Sequence, residues 1–230
     1  MSGTAVLGVS DGLVRMQVAD AAAAFAARTG RAVRVVHVHT GPPPAPDADA
    51  GVRTQVYLGR RAPALAVERL CTVGDPAEAL LDAVRPDGVV VLGDRHVRLG
   101  TPAGRTTLDV VAGAVCPVLV VPEYRPSVGG AVRRGGVVAA LDGSTADDGV
   151  LAAAGDASGA GPAPVRILDA ALPQVARGAG LVVVGLPSSD RPGSVGVRLL
   201  ADSPCPVLLV PAADQCPRAA TPVDATGPAV

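Results

Sequence analysis

The heptapeptide CPVLVVP at 116–122 returns almost unchanged as CPVLLVP at 205–211, 89 residues later. Each copy sets a run of branched apolar residues between two prolines. Such a run is too short for a helix and apolar on both faces, which reads as a buried parallel strand with Pro tolerated at its first residue. The duplication does not stop there. VVAALDGS at 137–144 echoes AVLGVSDG at 5–12, with Asp142 standing 131 residues after Asp11. LVVVG at 181–185 echoes VVVLG at 89–93 at a shift of 92. The shift falls by 39 residues, from 131 to 92, between the first strand and the fourth, about the length of one strand, one helix and their loops. The spacing therefore predicts that the second copy lacks the second strand and second helix. VRILDA at 165–170 is expected to replace the third strand, and 172–178 its short helix.

Between the strands the apolar period changes to that of helices. Val14, Val18, Ala22 and Phe25 share a face, and the helix they form is expected to stop at Thr29-Gly30. AVRVVHV at 32–38 reads as the second strand, 51–61 as a weaker helix, and LAVERLCTV at 65–73 as the third strand. In GDPAEALLDAV, Asp75 fits an N-cap, Pro76 the first helical position and Glu78 the third, with Ala77, Leu80, Leu81 and Val84 on one face. A further helix is expected over 104–115, burying Leu108, Val111, Ala112 and Val115. Strands alternating with helices, without hairpin signals, predict an α/β protein with doubly wound parallel sheets. The expected division is a first domain at 1–124, a linker at 125–134, a shortened second domain at 135–211 and a disordered tail at 212–230.

Composition narrows the function. Apolar residues make up 49% of the chain and aromatics 1%, so the core must be Ala, Val and Leu. All twenty basic residues are Arg, which reads as coding bias. A net charge of −1 gives no pull toward nucleic acid or an anionic membrane, and one Phe, two Tyr and no Trp cannot build a base-stacking platform. No basic leader is visible, and Arg or Asp interrupts every long apolar stretch, so a cytoplasmic protein without membrane spans is expected. Cys71, Cys116 and Cys205 read as small buried hydrophobes of a reducing compartment, and Cys216 as an exposed tail residue.

In order, VLGVSDG, VRVVHVHTG, GDPAEALLDAVRPDGVVVLG and AGAVCPVLVVP resemble one universal stress protein domain over residues 4–122. VVAALDGS, GLVVVG, Gly193-Ser194 and SPCPVLLVP resemble a second, shortened one. The resemblance implies an adenine-nucleotide alpha-hydrolase-like fold: five parallel strands in order 3-2-1-4-5 in the first domain and about four strands in the second. It also implies self-association by pseudo-symmetric pairing of the domains, extending to a homodimer, and a protein partner not yet identified. ATP is the cofactor the family resemblance offers, with no cofactor firmly expected here.

In ATP-binding members of that family a Gly-x-x-Gly loop, nine residues and Gly-Ser or Gly-Thr follow the fourth strand. Glycines and a helix N-terminus let backbone N–H groups meet phosphate. Carried onto this sequence, the candidate nucleotide residues are Asp11, Val38, Gly93, Arg95, His96, Gly104 and Arg105 in the first domain, and Asp142, Gly193 and Ser194 in the second. Both loops depart from the pattern. Gly93 and Gly104 are 11 residues apart rather than 13, His96 stands at the second glycine position and Arg105 replaces the hydroxyl residue. In the second domain Gly185 and Gly193 are only 8 apart, with Ser188 at the second glycine position. Arg95, His96, Arg98 and Arg105 either form a side-chain anion site or a solvated loop, the latter favoured.

His37 and His39 alternate on a strand and point to one face, but no third ligand is evident nearby, so they read as structural and no metal site is expected. Without Lys there is no Walker loop, and GVSDGL does not supply a dinucleotide fingerprint. The expectation is a non-enzymatic stress-response binding or regulatory protein. The alternative is an ATP-binding sensor with Arg side chains on the phosphates.

Overall fold

The computed structural model describes residues 3–10, 16–39, 41, 49–94, 102–122, 136–141, 146–159, 166–168, 179–186, 200 and 203–212. The apolar runs bounded by Gly and Pro become strands. In chain order the elements are β1 (Thr4–Val9), α1 (Met16–Thr29), β2 (Ala32–His39), α2 (Ala50–Arg61), β3 (Val67–Val73), α3 (Pro76–Ala83), β4 (Val89–Gly93), α4 (Pro102–Gly113) and β5 (Val118–Val121). Then follow β6 (Val137–Ala140), α5 (Asp147–Ser158), β7 (Arg166–Leu168), β8 (Leu181–Gly185) and β9 (Val207–Val210).

Local chemistry fixes the helix ends. Gly30 takes φ 66°, the left-handed conformation that glycine adopts without steric cost, and the Arg31 N–H turns back to the Ala26 carbonyl at 2.9 Å. Asp75 caps α3 by accepting from the amides of Ala77 at 2.8 Å and Glu78 at 3.1 Å, with Pro76 at the first helical position. Asp49 caps α2 in the same way through the amides of Gly51 and Val52. α4 begins two residues before the expected 104, because Pro102 supplies the better start. Of the expected face Val111 is buried and Leu108 partly so, with Thr107 and Val110 beside them, while Ala112 and Val115, the latter past the end of α4, are exposed.

Strands β3-β2-β1-β4-β5 pair in parallel, the expected 3-2-1-4-5 order. β9-β8-β6-β7 form a second parallel run. The two runs join edge to edge through antiparallel pairing of β5 with β9, giving one nine-stranded sheet. The register is Val118↔Leu209, Leu119↔Leu208 and Val120↔Val207. Leu119 and Leu208 are the same position of the two Cys-Pro phrases, so the seam is a local twofold centred on that pair. This is the self-complementary contact expected when like edges meet, and it leaves neither edge open.

The second run differs from its expected plan at one point. β7 lies directly beside β6, where β2 lies beside β1, and not in the third-strand place. A short strand can join a sheet only against an available edge, and the β6 edge is that of the second position. Among the described residues no strand pairs beyond β7, so the third position is the one left empty. The expected short helix at 172–178 lies outside the described residues.

Helices cover both faces. One face carries a single apolar cluster that runs from Phe25 and Leu58 under α1 and α2, through Leu119 and Leu208 at the seam, to Val150 and Ala154 of α5. α1 and α5, the helices following the first strand of each run, touch each other. α3 and α4 cover the opposite face over Val6, Val36, Val90 and Val118. Cys116 and Cys205 are buried at the feet of β5 and β9, as expected, but Cys71 is exposed. β3 is the edge strand, and the side chains of an edge strand that few elements overlie stay in solvent. No helix among the described residues is long and apolar enough to cross a membrane.

Candidate functional site

In a doubly wound sheet of order 3-2-1-4-5 the chain reverses its winding between β1 and β4, and ligands bind at the carboxyl ends of the strands there. Of the residues carried over from the family pattern, Asp11, Arg95, His96, Asp142, Gly193 and Ser194 lie outside the described residues. Gly93 ends β4 at that edge, and its carbonyl accepts from the Thr107 hydroxyl of α4 at 3.2 Å. Val38 is buried on the α3 side, packed with Val36 and Leu80, so only its backbone could meet a ligand. Gly104 stands within the first turn of α4 and does not open it. Arg105 is 80% exposed and holds Asp109 one turn on, Nε to Oδ2 at 3.4 Å. That is an i,i+4 surface pair, the solvated arrangement. The sequence GVSDG at 8–12 spells the Gly-x-Ser-x-Gly of a nucleophile elbow. Ser10 is exposed just past β1, and residues 11–15 lie outside the described ones.

A second polar cluster is built one strand away. His37 and His39 are buried on the face of β2 that α2 covers, with ring centroids 4.0 Å apart. The chain between 39 and 49 returns Asp49 to them as the cap of α2. Asp49 is 5% exposed. Its Oδ1 accepts from the Gly51 amide at 2.6 Å and lies 2.8 Å from His37 Nδ1. Its Oδ2 is 3.3 Å from Arg69 Nη1 and 3.8 Å from His39 Nε2. Burial pushes the Asp49 carboxyl up, but the hydrogen bonds from His37 and from the Val52 and Gly51 amides, with the charge on His37, outweigh it and hold the group below its ordinary value. Cys71 pairs in register with His37 on the neighbouring strand. Burial, then the Asp49 charge, raise its thiol above the ordinary value. The pair of histidines expected to lack a third partner thus has one, in a residue 12 positions beyond His37.

Close approach makes this cluster sensitive to volume. A Cβ on Gly51 would sit 2.9 Å from Asp49 Oδ1 and 3.0 Å from the His37 Cβ. Gly51→Ala should therefore push α2 off β2 and destabilise by about 1–3 kcal/mol, as overpacking does, despite the better helix propensity of Ala. Chemical denaturation measures it; a stabilised variant would show that the helix start is free to move.

No protein-family model matches the chain, and no curated protein matches its sequence. Solved structures do. A protein from Pseudomonas aeruginosa UCBPP-PA14 assigned to the universal stress proteins superposes with a TM-score of 0.65 at 14% identity, over 93% of this chain and 94% of that one. A functionally unknown protein from Pseudomonas aeruginosa PAO1 gives 0.66 at 14% identity over the same shares. A universal stress protein from Archaeoglobus fulgidus DSM 4304 gives 0.61 at 13% identity, over 91% of this chain and 98% of that one. The chain has the fold of these universal stress protein structures, as the sequence resemblance implies.

Proposed function

We propose that the protein is a universal stress protein that acts by binding or regulation, without turnover, in the cytoplasm. Its full first domain at 1–124 and shortened second domain at 135–211, both with degraded ATP loops and joined by the linker at 125–134, pair with each other and take a protein partner. The fold likeness across more than nine-tenths of the chain supports the family, and the pairing of equivalent residues across the β5–β9 seam supports the duplication. The observation that carries the reading against a nucleotide is at Arg105. The side chain that stands in for the phosphate-binding hydroxyl is engaged with Asp109 in solvent.

The second reading, an ATP sensor in the first-domain cleft, is favoured by the placement of Gly93 at the winding reversal, the usual ligand edge of such sheets. Melting the protein in ATP, ADP and cyclic nucleotides separates the two, because a ligand that binds only the folded state raises the melting temperature. A flat response at millimolar ligand supports the first reading, and a saturable rise supports the second. Arg105→Ala should leave stability within about 0.5 kcal/mol of wild type, since exposed i,i+4 pairs contribute little. If that substitution abolished a nucleotide-induced rise, the side chain would be on phosphate after all. Phosphate release above background would point to turnover.

A further inference from the structure

We propose that His37, His39 and Asp49 form a binding site for one divalent transition-metal ion, with Zn²⁺ the cation their chemistry suits best. One donor atom from each of the three residues lies within 4.8 Å of those of the other two, and all three residues are buried. Two imidazoles and a carboxylate are a known three-ligand set for zinc, one that leaves a coordination position for a further ligand. Magnesium and calcium prefer an oxygen shell, which this cluster does not offer.

The backbone preorganises the set. His37 and His39 are two residues apart on one strand face, and Asp49 is locked by its role at the start of α2. Its Oδ1 is taken up by the Gly51 and Val52 amides, so Oδ2 is the oxygen turned toward His39 and Arg69. The Oδ2 to Nε2 separation of 3.8 Å is too long for a hydrogen bond, but a cation bonded to both atoms at about 2 Å would need little closure.

Arg69 is the built-in competitor. Its guanidinium neutralises Asp49 Oδ2 in the metal-free protein, and its side chain is 35% exposed, so it can leave toward solvent when a cation takes its place. The proton between His37 Nδ1 and Asp49 must leave too if that nitrogen binds the ion, so binding releases protons. Cys71 stands beside the cluster on the same face and is a free thiol, but it lies outside the set of three mutually close donors.

The experiment uses the full chain, stripped with chelator and titrated with Zn²⁺ by calorimetry and with Co²⁺ by visible absorption. One equivalent of Co²⁺ should give the intense d–d bands of a low-coordinate ion. His39→Gln and Asp49→Asn should each weaken Zn²⁺ at least about 10-fold, the scale of loss seen even for groups that only support ligands. Asn still caps a helix, and the melting curve of each variant shows that it is folded. Arg69→Ala should tighten Zn²⁺ by removing the competing cation, a gain that a purely structural ion pair would not produce. Cys71→Ser should leave the single site in place. The proposal is overturned if the wild type shows no saturable binding, if binding survives unchanged in folded His39→Gln and Asp49→Asn, or if it disappears with Cys71 alone. It does not rest on the nucleotide reading, and the titration is done without nucleotide.

Discussion

Asp49→Ala should lower the unfolding free energy by about 3 kcal/mol, the sum of roughly 1 for a lost N-cap and roughly 2 for a buried donor left without its acceptor. The cap is visible in the bonds from the Gly51 and Val52 amides, and the stranded donor is His37 Nδ1, within a residue that has no exposed surface. Arg69 loses its carboxylate as well, but being partly exposed it regains water and adds little. Asp49→Asn keeps an oxygen for the cap and gives up only the charge, so it should cost about 1 kcal/mol. The pH dependence follows from the depressed carboxyl. A group whose folded pKa lies below its unfolded value stabilises fully above the unfolded value and stops doing so as pH falls through the folded one. The gap between wild type and Asp49→Asn should therefore be constant through neutrality and close below the ordinary carboxylate range. Urea titrations at several pH values in metal-free buffer measure it. A gap as wide in strong acid as at neutrality would mean that the charge on Asp49 plays no part.

The parts of this fold that could be read from sequence are those where local pattern and tertiary environment agree. VVVLG and VLVV are apolar on both faces because both faces are covered, and they are strands where expected. The Asp-Pro start of α3 is a local device, and its cap bonds form as the residues dictate. Environment was harder to read than element type. Cys71 and Cys116 both border strands, yet one is exposed on an edge strand and the other is buried; the charges of Glu68 and Arg69 before Cys71 were the local sign of this, and the strand order fixes it. The β7 position depended on which edge of β6 was open, which a shift in repeat spacing does not encode. For the His–Asp cluster one signal was present. Asp49 precedes a helix as an N-cap would, and a cap at the carboxyl end of β2 must lie near the side chains that end that strand. The nucleotide residues rest on resemblance alone; among them Arg105 is described, and it pairs with its helical neighbour Asp109.

The seam between the two runs yields the other large effect. Leu119 and Leu208 are 2% and 1% exposed, face each other in register, and belong to the apolar cluster that both runs share. Leu208→Ala removes methyl groups from this place and leaves a cavity, which should cost about 2–5 kcal/mol. The local twofold makes a sharper demand. Leu119→Ala deletes the equivalent side chain from the other side of the same axis, so its cost should match that of Leu208→Ala within about 1 kcal/mol. The double variant should depart from the sum of the singles by at least about 0.5 kcal/mol, because both truncations open onto one space. Denaturant unfolding of the four proteins closes this cycle. Because the cluster from Phe25 to Val150 is continuous through the seam, the wild type should unfold in one transition rather than two. Unequal single costs with strict additivity would mean that the two strands touch without sharing a core. Two separate transitions, with only the second moved by Leu208→Ala, would mean that each half stands alone.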